Sequence, residues 1–283
     1  MGNVVKKIKV GRLLLFVMLV AFSITMIYPF LWTIFASFKT TEQLFSGKPL
    51  DLIPRPMRIE NYKDAWNFVP FGRFLLNTLF IAGFVTLMQI LIASMAGYSF
   101  ARLNFRGKNI VFIMLLGTMM IPGHVTLIPN YVLMRYLKWI DKYQALMIPV
   151  IFNSTCVTGM FLMRQYFLSI PKELEEAAII DGCSRFKAFW TIVLPNTKPA
   201  LSTFAIIGFN AGWNSFLWPL IVISDVKKMT IQVGLSYFRG VVSSNWGVLL
   251  AGTTMAIVPV MIVFLIFQKY FVEGMVTSGF GGK

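Results

Sequence analysis

Acidic residues, histidine and cysteine are all scarce in this chain, with 11 Asp and Glu, one His and two Cys among 283 residues. A single histidine cannot build a metal centre. Cys156 falls inside an apolar run and Cys183 in a charged loop, so the two lie at different depths and no disulfide framework is expected. The few carboxylates fall almost entirely between the apolar runs. That removes the intramembrane acids on which an ion-coupled secondary transporter depends. A membrane-embedded hydrolase is equally unsupported, because no Gly-x-Ser-x-Gly, HExxH or paired intramembrane Asp occurs. The phosphate-cradling GxxxxGKS/T loop is also missing: Gly107-Lys108 lacks the upstream glycine and is followed by Asn109. The chain is therefore expected to be neither an enzyme nor an ATPase, and to hold no metal or cofactor.

What it has in abundance is apolar surface. Hydrophobic residues make up 57% and charged residues 13%, and the mean hydropathy is +0.72. One soluble core cannot hide that much, so the solvent is largely lipid. The net charge of +15 suggests nucleic acid at first sight, but Lys and Arg here flank long apolar runs and so mark membrane boundaries.

A bilayer core of about 30 Å takes about 20 apolar helical residues. Six segments qualify, approximately 13–38, 74–101, 109–134, 143–168, 199–223 and 246–272. They predict an all-α integral membrane protein forming one transmembrane domain over 1–283. The basic start, Lys6, Lys7, Lys9 and Arg12, looks like a signal peptide, but the run behind it is too long and no small-residue cleavage site follows. An uncleaved first helix is expected. An even number of spans puts both termini on one side, and the basic start argues for the cytoplasm. The loops at 102–108 and 169–198 then lie inside, although Lys and Arg divide too evenly to decide orientation alone. The segment 39–73, with Pro49, Pro54, Pro56 and Pro70, reads as an ordered excursion outside the membrane, as does 224–245. The tail from Glu273 to Lys283 is too polar and Gly-rich to span.

The segment Pro171 to Pro195 carries the strongest signal. Pro171 suits a first helical turn and Glu173 the positive end of the dipole. Leu174, Ala177 and Ala178 give a small apolar face, and Gly182 supplies a left-handed stop. Ser184 can cap a second short helix on which Phe186, Phe189, Trp190 and Val193 share a face before Pro195 ends it. A bent helical pair with exposed apolar and aromatic side chains wants a protein partner, since uncovered apolar area costs about 25 cal/mol per Å². Its plainer reading is an amphipathic interfacial hairpin.

Glu176-Ala177-Ala178, Gly182, Ile192 and Leu194-Pro195 match the spacing EAA-x3-G-x9-I-x-LP in full. The segment thereby resembles the EAA loop of ATP-binding-cassette importer permeases. The resemblance extends over almost the whole chain and is closest to the smaller permease subunit of maltose-type carbohydrate importers. Pro29, the Ile121-Pro122-Gly123 and Ile128-Pro129 helix breaks, Arg164-Gln165, Trp213-Asn214 and Trp218-Pro219 support it. It implies a type I importer permease fold in a bacterial or archaeal inner membrane, with 169–198 holding a coupling helix seated on an ATPase. It further implies Glu176 pairing with a basic group there, Ala177 and Ala178 packing closely, Asp181 reinforcing the turn and Gly182 allowing the bend. Implied partners are a second, homologous permease, two ATPase subunits that bind ATP and Mg, an extracytoplasmic solute-binding protein and a sugar. Tyr237, Phe238, Arg239 and Trp246 would reach the docked binding protein.

Proline breaks free backbone carbonyls that are tolerated where they line a polar pathway, so Pro122, Gly123, His124 and Pro129 are candidates for the pore. For His124, a kink with a satisfied imidazole is the simpler reading. Asn210, Trp213 and Asn214 place two amides and an indole within little more than a turn, a set that can stack on a sugar face and bond its hydroxyls. They can equally bridge helices. The competing functional classes are an ion-coupled transporter and a non-transporting structural membrane subunit.

Overall fold

Long apolar runs separated by Gly, Pro and charge leave helix as the economical solution, since each helical backbone group is satisfied within its own segment. The computed structural model describes residues 2–46, 52–241 and 245–280, with side chains from 11–46, 52–240 and 245–269. Pro49 and the end of the tail, 281–283, lie outside the described residues. In chain order the α-helices are α1 Gly2–Ala36, α2 Thr41–Leu44, α3 Glu60–Phe68, α4 Phe71–Arg102, α5 Lys108–Thr118, α6 Gly123–Tyr136 and α7 Tyr143–Ile151. There follow α8 Ser154–Ser169, α9 Glu173–Ile180, α10 Arg185–Ala188, α11 Lys198–Trp213, α12 Leu217–Val222, α13 Ile231–Val241 and α14 Trp246–Phe280. No strand occurs among the described residues.

Four stretches are long and apolar enough to cross a membrane: Gly11–Ala36, Phe71–Arg102, Tyr143–Ser169 and Trp246–Lys269. A fifth is possible if α5 and α6, bent by 94° at their junction, count as one span. The expected span at 109–134 is thus sharply broken: α5 ends at Thr118, and Pro122 stands as the extended residue before α6. Pro129, expected to make a second break, lies inside α6 without ending it. The expected span at 199–223 is divided into α11 and α12 by residues 214–216 and is too short in either piece to cross alone. Helix α14 continues to Phe280, well into the tail whose composition argued against a spanning element.

Contacts divide the chain into two compact units, Met1–Val69 with Leu235–Ala256, and Pro70–Gly234 with Ile257–Lys283. In the first, the Gly11–Ala36 part of α1 exposes apolar side chains on all sides, the pattern of a helix covered by lipid or by another chain. Its Ser and Thr hydroxyls are satisfied internally: Ser23, Thr25 and Thr33 donate to the carbonyls of Leu19, Ala21 and Pro29. The excursion that follows is ordered. Thr40 and Gln43 form a capping box on α2. Asn61 of α3, fully buried, donates to the carbonyls of Ser37 at 2.8 Å and Lys39 at 2.9 Å.

The second unit is built around α4, which packs most extensively on α8 and then on α11. Close approach rests on small residues. A Cβ on Gly97 would lie 2.9 Å from the Met163 Cβ, and one on Gly159 would collide with the Phe204 ring. Polar side chains of α4 tie in neighbouring segments. Asn77 donates to the carbonyls of Lys227 and Met229 and accepts from the Tyr143 hydroxyl, while Thr78 accepts from the Ile231 amide. The same loop is held by Asp141, whose carboxylate accepts from the amides of Ser224 and Asp225. Asp225 caps the next turn, and the Lys227 amide, reinforced by Lys228, holds its carboxyl below the usual range.

Overpacking separates the crowded glycines from the free ones. Gly97→Leu is expected to lower the midpoint of thermal unfolding in detergent, at a cost of about 1–3 kcal/mol for a strained close contact. Gly83→Leu, where nothing lies within 4 Å of the new Cβ, is expected to leave it unchanged or to raise it slightly, since Leu is the better helix former.

Candidate functional site

Residues 171–195 fold into an elbow with two short arms. The first, α9, starts at Glu173, with Pro171 two residues upstream and not in the first turn; Glu173, Glu175 and Glu176 crowd its positive end. It closes in a Schellman motif. Gly182 takes φ +82°, its amide reaches the Ile179 carbonyl at 3.0 Å, and the Cys183 amide reaches the Ala178 carbonyl at 2.9 Å. Ser184 then caps α10, accepting from the Lys187 amide. The second arm continues through a wider π turn, Phe189–Val193, in which the Leu194 amide bonds to the Phe189 carbonyl. A 3-10 turn beginning at Pro195 leads into α11.

The elbow has an inner and an outer face, divided differently from the expectation. Phe186, Phe189, Trp190 and Val193 do not share one face. Phe189 and Val193 are 2% and 1% exposed and join Tyr98, Ala101, Met163, Phe167 and Ala200 in a common core. Phe186 and Trp190, one turn apart, point outward and meet edge to face. The cause is that i, i+4 pairs form two neighbouring rows, and only one row faces the bundle. On α9 the same split turns Ala178 inward, while Leu174, Glu176, Ala177, Ile180 and Asp181 are exposed. Of the remaining motif residues, Ile192 and Leu194 are half-buried and Pro195 is exposed. Leu194 packs on the core just described.

Sequence reasoning missed Glu175. It lies one helical step, about 100°, from the exposed Glu176, and is 8% exposed. The Tyr98 hydroxyl donates to its Oε1, and the Arg102 Nε lies 3.5 Å from its Oε2. The Arg102 Nη2 also donates to the Ile170 carbonyl at 2.6 Å. The available signal was the spacing: Glu175 and Ala178 are three apart, and Tyr98 and Arg102 are four apart at the end of an apolar run.

On another part of the second unit, a cavity of about 250 Å³ is lined by Gln89, Asn130, Asn153, Thr155, Ser215 and Trp218 together with small and apolar residues. Gln89 is 1% exposed and donates to the Val150 carbonyl and to Asn153 Oδ1. Asn153 in turn caps α8. The Trp218 indole donates to the Ala145 carbonyl at 2.8 Å. The candidates named from sequence for a substrate pathway are not in this lining, Gly123 apart. Pro122 and His124 are exposed at the start of α6. Asn210 and Asn214 are exposed and bonded to each other at 2.8 Å. Trp213 is 1% exposed and stacks on Phe209 in the interior, because it stands about 100° around the helix from Asn214. Sequence reasoning missed Gln89; the available signal was an amide in the middle of the apolar run of α4, far from either end.

Among the described residues no group of acidic, His or Cys side chains could hold a metal, and both cysteines are free. Residues 89–277 match the family described as "Binding-protein-dependent transport system inner membrane component". The chain belongs to this family. The permease is similar to the arabinooligosaccharides transport system permease protein AraQ of Bacillus subtilis (strain 168), at 34% identity over 97% of this chain and 96% of the relative. It is also similar to the trehalose/maltose transport system permease protein MalG of Thermococcus litoralis, at 34% identity over 96% of this chain and 98% of the relative. Its fold matches a chain in the crystal structure of a bacterial ABC transporter involved in the import of the acidic polysaccharide alginate, with TM-score 0.78, 24% identity and coverage of 93% and 97% of the two chains. The permease is thus a membrane-embedded component of a binding-protein-dependent transport system, with the importer fold that the EAA loop implied.

The elbow's stop and cap are separable. Gly182→Val forces a β-branched residue into the left-handed region and is expected to cost about 1–2 kcal/mol, and Ser184→Ala about 1 kcal/mol. Hydrogen exchange should show faster exchange over residues 173–190 of the permease in both variants, with larger loss of protection for Gly182→Val.

Proposed function

We propose that this permease is one of two homologous membrane subunits of an ATP-driven importer and forms half of the pathway for an oligosaccharide or related sugar. The observation that carries the reading is the elbow at 171–195. Its inner face is locked into the bundle, while Leu174, Ile180 and Phe186 stand 48%, 85% and 64% exposed on its outer face. Apolar side chains left uncovered beside a rigid turn favour a protein partner. In this reading the partner is an ATP-binding-cassette subunit that binds ATP and Mg, two copies serving the two permeases.

Glu176, exposed on the outer face, pairs with a basic group of the ATPase, and Ala177 allows close approach. Ala178 works differently from the sequence expectation, since it packs inward on the permease itself. Gly182 holds the bend. The elbow and both termini face the cytoplasm, which takes α5 with α6 and α11 with α12 each as one broken crossing, and an extracytoplasmic binding protein delivers the sugar to the opposite side. The names of the carbohydrate relatives support sugar as the substrate class. The amide- and hydroxyl-lined cavity, with the indole of Trp218, has the donors, acceptors and aromatic surface that sugar hydroxyls and ring faces use.

Reconstitution in liposomes with the partner permease, ATPase and binding protein tests this reading. Wild type is expected to take up oligosaccharide only with ATP inside. The double variant Glu176→Lys, Gly182→Asp is expected to lose uptake and sugar-stimulated hydrolysis by about tenfold or more, since a charge-assisted contact becomes a repulsive one. Uptake that persists without ATP, or a variant equal to wild type, would overturn it.

A further inference from the structure

Three ion pairs are formed among the described residues, and two of them are half-exposed on both sides. The third joins Glu175 to Arg102, with side chains only 11% and 4% exposed. Exposed pairs contribute little, whereas removing one partner of a buried pair leaves a charge without compensation. Glu175 is therefore the carboxylate of the first arm whose environment demands that it stay in place.

The geometry shows what it is tied to. Its two oxygens are taken by two positions of α4 one turn apart, Tyr98 through its hydroxyl and Arg102 through its guanidinium. The same guanidinium holds the Ile170 carbonyl, just past the end of α8. One side chain of α9 thus grips α4 at two points and, through Arg102, the exit of α8. The second arm enters the bundle through apolar packing of Phe189 and Val193, which resists separation but tolerates sliding. The hydrogen bond from Tyr98 to Glu175 is directional and does not, and the Arg102 guanidinium adds charge attraction beside it.

Helix α4 is the element on which such a grip has most effect. Its 32 residues span about 48 Å. Part-way along, Gln89 lines the cavity and bonds the junction of α7 and α8. Towards its other end, Asn77 and Thr78 hold the loop at 227–231.

We propose that Glu175 is a positioning residue that locks the first arm of the elbow to α4 through Tyr98 and Arg102, so that a displacement of the elbow moves α4 and with it the Gln89 wall of the cavity. This rests on the importer reading, in which the ATPase moves the elbow. Glu176 and Glu175 then divide the work between adjacent positions: one faces the motor, the other the helix to be moved.

Two measurements test the proposal separately from that reading. In the full permease chain in detergent, hydrogen exchange of the α9 amides is compared for wild type, Tyr98→Phe, Glu175→Gln and the double variant. Each single variant is expected to raise exchange of α9, by about tenfold for loss of a buried charge-assisted bond, and the double variant to add little to Glu175→Gln. Unchanged exchange, or fully additive effects, would show that the tie does not hold the arm. In the reconstituted complex, sugar taken up per ATP hydrolysed is expected to fall in both single variants while the ATPase still co-purifies with the permease. A wild-type ratio in Tyr98→Phe and Glu175→Gln would overturn the proposal even with the importer reading intact. Absence of ATP-dependent uptake by wild type would instead defeat the importer reading and leave the exchange experiment to judge the tie.

Discussion

Away from water an unpartnered polar side chain is costly, and the rest of this structure depends on where α4 finds partners for its own, Thr86 and Ser94 being buried without one. An unpaired amide, hydroxyl or charge in an apolar environment costs several kcal/mol on the scale of transfer to hydrocarbon. Asn77, Thr78, Gln89, Tyr98 and Arg102 of α4 each bond to a segment outside their own helix. The apolar stripe of α4 makes the bundle, with glycines allowing α8 and α11 to approach closely. The polar positions choose which loops and helix ends are fixed to it. The result is a helix packed by non-directional contacts along its length and pinned by directional ones at three levels.

The elbow at 171–195 shows the same division on a smaller scale. Its shape comes from local chemistry: a left-handed glycine, a serine cap and a proline at the exit. Its attachment comes from residues on the inner rows, Glu175, Ala178, Phe189 and Val193. Its outer rows, with Glu176, Ala177, Ile180 and Phe186, stay uncovered. In the importer proposed above, this motif of small residues and one glutamate would be two interfaces back to back, one receiving motion and the other passing it on.

Features governed by local sequence were legible. The apolar runs located helices, Gly182 and Ser184 marked the stop and the cap, and Pro122 marked the break before α6. Features set by packing were not. Hydropathy cannot show that the run 109–134 bends by 94° or that 199–223 is interrupted at 214–216, because both pieces remain apolar. Composition argued that the tail from Glu273 does not span, and the apolar stretch ends at Lys269, but it did not show that the helix itself runs on to Phe280, since isolated glycines weaken a helix without ending it. The orientation of single residues was least legible. Adjacent glutamates at 175 and 176 read alike in sequence, yet one is buried and the other exposed. Trp213 looked like a sugar platform because of its neighbours Asn210 and Asn214, and the helical step between them buries it.

The claim most in need of a direct test is that the outer face of the elbow is a docking surface for the ATPase and the inner face is not. A photo-crosslinking amino acid placed at Ile180, 85% exposed, is compared with one at Phe189, 2% exposed, in membranes that co-express the ATPase partner. The account predicts a covalent adduct with the ATPase from position 180 and none from position 189. Adducts to lipid alone from position 180, with the ATPase present and folded, would contradict it and return the elbow to an interfacial hairpin.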